Sequence, residues 1–177
     1  MITRKFKNRY LFFYLIILII ISTYINLHWA ERELLEYSNF IINHETSLFI
    51  ILILFQSLTL LALLVLETLV IFFTVRIVLK KERYLRDYFK PVLTAMVIAN
   101  TINLCIALFY LPTIHDVDAV YQLTLSSPVN YIVKPFVICY LLFEKEIISK
   151  NILDWVIVGG IYIIIMYIPG FIFVSFL

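Results

Sequence analysis

SLFIILILFQSLTLLALLVLETLVIFFTV, Ser47–Val75, followed at once by RIVLKKERYLRDYFK, Arg76–Lys90, decides the fold. The first part carries one charge, Glu67, and the second carries six bases. At 1.5 Å per residue the apolar part is roughly 43 Å long as a helix, against a hydrocarbon core of about 30 Å. It is long enough to cross a bilayer and must tilt or project beyond it. The basic stretch that ends it keeps apolar residues at helical spacing: Ile77, Tyr84, Leu85, Tyr88 and Phe89.

Outward from this stretch lie four more apolar runs, roughly Tyr10–Leu27, Pro91–Ile114, Pro128–Phe143 and Trp155–Leu177. The run at 128–143 is short but usable. The expected fold is therefore an all-α membrane protein, residues 1–177 forming one polytopic domain of five transmembrane helices. A hydrophobic fraction of 63% and a mean hydropathy of +1.01 are far above soluble norms. Only three glycines argue against tightly packed GxxxG spans. Cys105 and Cys139 both fall in apolar runs, without a CxxC or a third thiol, and read as small buried hydrophobes.

Orientation follows from the bases, because Lys and Arg are retained on the cytoplasmic side. Arg4, Lys5, Lys7 and Arg9 precede the first run. Arg76, Lys80, Lys81, Arg83, Arg86 and Lys90 separate the second and third, and Lys145 and Lys150 separate the fourth and fifth. Twelve of fourteen basic residues thus fall on one side, with Arg32 on the other and Lys134 inside a span. The N-terminus is expected inside and the C-terminus outside, in a cell membrane of bacterial type. No A-x-A-like cleavage site follows the first run, which reads as an uncleaved span.

Between the first two runs, Leu27, Ala30, Leu34, Tyr37 and Ile41 recur every three or four residues, with Glu31, Glu33 and Glu36 largely between them. This pattern fits an amphipathic helix in the outer interface or a solvated connecting helix. Pro91 is expected to open the third span.

Charge in a membrane core costs about 2.5 to 3.5 kcal/mol on insertion scales, so polar residues within spans are the candidate site. Counted from the nearest charged end, Glu67, Lys134, Asn100 and Asn103 all lie about 13 to 20 Å deep, near the midplane. Asn100 and Asn103, at i and i+3, share a helix face. Pro135 frees a carbonyl one turn before it, and Gly159–Gly160 offers a close helix approach at similar depth. The cluster reads either as a Glu67–Lys134 pair, bonded to the asparagines, that fixes how helices meet, or as a substrate, proton or ion site.

Catalytic patterns are missing. His44-Glu45 is not continued as HExxH, and there is no GxSxG and no glycine-rich phosphate loop. His115-Asp116-Val117-Asp118 offers three metal-type ligands without a fourth and reads as a solvated turn. Neither a cofactor nor a metal is expected, nor is nucleic acid among the partners.

From the second run onward the order of features resembles a bacterial member of the Yip1 family. A long apolar helix enters the basic Arg76–Lys90 turn, and a span then begins at Lys90-Pro91-Val92-Leu93-Thr94. A short segment starts at Ser127-Pro128-Val129-Asn130-Tyr131. The last span follows Lys150-Asn151 as Ile152-Leu153-Asp154-Trp155-Val156-Ile157-Val158-Gly159-Gly160. The resemblance covers residues 45–177 and implies a five-span protein; bacterial members can accompany export systems. The family's DLYGP-type signature is missing, so trafficking roles are not carried over and no functional residue transfers by motif. The expected function is that of a non-enzymatic membrane protein that assists or stabilises another membrane system, such as an exporter or a self-immunity function. The alternative is a small transporter or permease component using the midplane polar cluster.

Overall fold

A computed structural model describes residues 8–33, 38–110 and 127–174. These residues are helical apart from short turns: α1 (Asn8–Glu33), α2 (Ser38–Phe73), α3 (Leu85–Tyr110), α4 (Lys134–Glu144) and α5 (Ile152–Val174). Two wider π turns join them, Thr74–Val78 at the end of α2 and Val129–Val133 ahead of α4. Three helices, α1, α2 and α3, are long and apolar enough to cross a membrane. α5 adds a shorter apolar stretch over Ile152–Ile168. The chain is thus a membrane-embedded helical bundle.

α3 is its centre, touching α1, α2 and α4, while α5 packs on α4 and α2. Val92, Leu93, Ala95 and Met96 of α3 are buried against Leu15, Leu18 and Ile19 of α1, Leu64 and Ile71 of α2, and Ile138 and Leu142 of α4. Phe72 meets the buried Tyr88 edge-on, with ring centroids 5.7 Å apart. α2 differs from its neighbours: only 6% of its apolar window is buried, against 28% and 33% for α1 and α3. One face of it carries the buried Leu64, Glu67, Thr68 and Ile71, and the other points away from the bundle.

The helix boundaries depart from the run boundaries for identifiable reasons. α3 starts at Leu85, a turn and a half before Pro91, because the Asp87 carboxylate accepts a bond from the Tyr84 N–H at 3.2 Å and caps the first turn. Pro91, now inside α3, has no N–H for the Asp87 carbonyl. Lys145 Nζ takes that carbonyl instead, at 2.9 Å. Leu27–Glu33 continues α1 without a break, and Ser38–Ile42 opens α2, which kinks at His44 (φ −121°, ψ 15°). Residues 34–37, including Leu34, Glu36 and Tyr37, lie outside the described residues, as does His115–Asp118.

Two basic loops meet at one end of the bundle. Lys81 pairs with Asp154 at 3.7 Å, and Ser149 donates to the same carboxylate from its N–H and its hydroxyl. The Ser149 hydroxyl is the largest cause that holds the Asp154 carboxyl below its ordinary value of 3.8, with Lys81 adding to it. α4 closes with Glu146 in the left-handed region (φ 58°), its N–H on the Phe143 carbonyl and the Ile147 N–H on the Leu142 carbonyl, a Schellman ending built without glycine.

Candidate functional site: a sealed ion pair and a neutral polar cavity

Glu67 and Lys134 meet. Lys134 Nζ lies 2.5 Å from Glu67 Oε1, with side-chain exposures of 8% and 2%. Both charges are out of solvent, so the pair joins α2 to α4 in a setting where losing either partner strands the other. Local chemistry aims the lysine. Pro135 has no N–H for the Tyr131 carbonyl, and its ring crowds that oxygen. The backbone widens into the π turn, and the Lys134 N–H reaches back five residues to the Val129 carbonyl.

Tyr162 of α5 is fully buried and in electrostatic contact with Glu67. Its hydroxyl and Glu67 Oε2 nevertheless stand outside hydrogen-bonding geometry. Tyr162 meets Tyr167 edge-on at 6.0 Å, and Tyr167 meets Tyr131 at 4.8 Å. An aromatic wall therefore covers one flank of the pair. Thr68, beside Glu67 in sequence, turns its hydroxyl back to the Leu64 carbonyl and contributes nothing to the pair.

The asparagines belong elsewhere. Asn100 Nδ2 donates to the Met96 carbonyl of its own helix at 3.0 Å. Asn103 Nδ2 donates to Asn130 Oδ1 at 3.2 Å, while Asn103 Oδ1 accepts from the Ser127 hydroxyl at 2.8 Å. It thereby fastens α3 to the turn ahead of α4. Neither asparagine reaches Glu67 or Lys134. Both instead line a half-open cavity of about 340 Å³ bordered by α1, α2 and α3 and by Ser127, together with Ser22, Asn26, Gln56 and Thr59. The Thr23 hydroxyl donates to Gln56 Oε1 at 2.8 Å beside that cavity and links α1 to α2.

Sequence reading found the pair but missed Gln56, Thr23, Ser127 and Asn130. Gln56 was discernible, being the one amide in the Ser47–Val75 run. Ser127 and Asn130 flank Pro128, and nothing in their spacing names Asn103 as their partner.

The remaining candidates are dispersed. A methyl at Gly159 would meet Cys139 Sγ at 3.8 Å and Pro135 Cβ at 4.0 Å, so Gly159 lies on the α4–α5 contact; Gly160 faces open space. Glu31 lies 3.5 Å from His28, and Glu33 pairs with Arg32, both on the last turns of α1. Among the described residues no three His, Cys, Asp or Glu side chains converge as a metal set would. Set against family models, curated proteins and solved structures, the chain matches none.

Proposed function

We propose that this chain is a five-span protein of a bacterial-type plasma membrane, with its N-terminus and both basic loops in the cytoplasm, that acts by contact with another membrane protein. The observation that carries this reading is α2. It is the longest helix, and one face of it points away from the bundle along its length: Ile51, Leu54, Phe55, Leu58 and Val65 are exposed on it. In lipid such a face gains nothing from burial alone, and helix association there draws on packing and polar contacts. A long, shape-rich stripe of branched and aromatic side chains supplies the packing.

The meeting of the two basic loops at one end supports the orientation, because both then face the same compartment. The Yip1-like order of elements, and with it a role beside an exporter or in self-immunity, belongs to this same proposal. No enzymatic step is assigned.

Photocrosslinking from Leu58, set in the middle of the stripe, tests the reading in cells. A discrete membrane-protein adduct that disappears when the probe is moved to buried Leu64 supports it. Adducts to lipid alone would reject it.

A second reading, a small permease component, is favoured by the polar cavity between α1, α2 and α3. The enclosed Glu67–Lys134 pair argues against a route through the charges, since neither residue lines the cavity. Solute flux in proteoliposomes of the purified chain, abolished by Glu67→Ala, would replace the contact reading with the permease one.

A further inference from the structure

We infer that the cavity between α1, α2 and α3 is a binding site for the uncharged, hydroxyl-bearing headgroup of a neutral lipid-like amphiphile. Its volume, about 340 Å³, lies at the lower end of small-molecule sites and suits a glycerol-sized group with the first carbons of a tail.

Three observations define the occupant. First, among the described residues the lining holds no Asp, Glu, Lys, Arg or His. A charged headgroup entering here would lose its water without gaining a counter-charge, which excludes fatty acids and ammonium groups. Second, hydrogen-bonding capacity is left over. Among the described residues, the Ser22 hydroxyl, the Asn26 amide and Gln56 Nε2 take no side-chain partner, and Asn100 uses its Nδ2 but not its Oδ1. These atoms offer donors and acceptors together, the complement of a diol or triol, whose every hydroxyl both gives and takes a bond. These atoms border open space rather than packed protein, where a bound hydroxylated group can reach them. Third, the walls between them are apolar, formed by Leu18, Leu60 and Leu104, and Phe55 stands exposed at the rim, so a hydrocarbon tail leaves the cavity along α2. The site is separate from the Glu67–Lys134 contact and does not depend on the partner-contact reading.

The test uses the purified full chain in phosphatidylcholine nanodiscs, titrated with monoolein, methyl oleate or oleic acid. The three share a tail and differ in headgroup: neutral diol, hydroxyl-free ester and carboxylate. Apparent affinity is read from the rise in unfolding midpoint with probe mole fraction. Monoolein is expected to bind about tenfold more tightly than either other probe, as a site built to hydrogen-bond hydroxyls requires. Ser22→Ala with Asn100→Leu should erase that preference. Neither side chain carries a bond to another helix, so the fold should persist. Ala107→Phe, which fills the cavity from α3 and leaves every polar group in place, is the second variant and should lose monoolein binding. Equal binding of the three probes, or a monoolein preference unchanged in both variants, overturns the proposal. So does a cavity occupied by water alone, read as no midpoint shift with monoolein.

Discussion

The α2–α4 contact and the α1–α2–α3 cavity handle polarity inside one bundle in opposite ways. At the first, two full charges are brought together, walled by tyrosines and left 8% and 2% exposed. At the second, neutral amides and hydroxyls from three helices face a void with bonding capacity unspent. Depth decides less than charge. An ion cannot wait for a partner in hydrocarbon, so the fold must supply one internally. A neutral amide can be half satisfied by its own helix, as Asn100 is by Met96, and keep its other atom for something that arrives later. Specific packing at one place and receptivity at the other follow from that single distinction.

The largest loss of stability is expected at the ion pair. Glu67→Gln should strand Lys134 and cost about 3 to 5 kcal/mol of stability. Adding Lys134→Met should recover most of the loss, since an apolar pair of similar volume suits the site. Unfolding of the purified chain in detergent measures both, and strict additivity of the two changes would dissolve the claimed coupling.

The asparagines sharpen the contrast at a smaller scale. Asn103→Leu removes two bonds between elements and should cost about 1 to 2 kcal/mol, near the upper range measured for polar contacts in membranes. Asn100→Leu cuts only a bond within its own helix and should be neutral or stabilising. Equal losses at the two positions would show that the cavity lining is structural after all.

The α4–α5 seam beside Lys134 comes next. Gly159→Ala meets ordinary contact distances and should stabilise by up to about 1 kcal/mol through helix propensity. Gly159→Leu should push α5 from α4 and cost about 1 to 3 kcal/mol. A penalty for alanine as large as that for leucine would mean that the helices approach more closely than the structure has them.

The smallest effect lies at the exposed latch of Lys81, Ser149 and Asp154. Because the folded Asp154 carboxyl titrates below its ordinary 3.8, its contribution is present above that pH and fades as pH falls through the lower folded value. Ser149→Ala, which removes the largest cause of the shift, should bring the fading to higher pH. Carboxylate titration followed by NMR reads it, and an unchanged midpoint in Ser149→Ala would break the assignment.

The pairing of Glu67 with Lys134 was legible because two quantities readable from a chain, charge and distance from the nearest charged end, converge on it. The fate of Asn100 and Asn103 was not. Depth places a residue along a span but not around it, so the asparagines could be matched in height with Glu67 while facing another helix. The start of α3 was hidden for a related reason. Pro91 marks a helix start by local rules, but Asp87 caps the chain earlier and Lys145, 58 residues away from it, takes the carbonyl that the proline leaves open. Gln56, the one amide in its run, could have been singled out as the asparagines were, but nothing in the sequence names Thr23 as its partner.

The separation of the ion pair along the chain has a consequence for biosynthesis. Glu67 precedes Lys134 by 67 residues. At about 5 to 20 residues per second, a ribosome leaves the acid without its base for several seconds. In the proposed five-span arrangement, α2 then waits in or beside the insertion machinery carrying an unanswered carboxyl group, and the short α4 segment becomes the event that releases it. Chains arrested before Lys134 should therefore be cleared faster than chains arrested just after α4, a difference that pulse-chase labelling reads directly, and Glu67→Gln should narrow it.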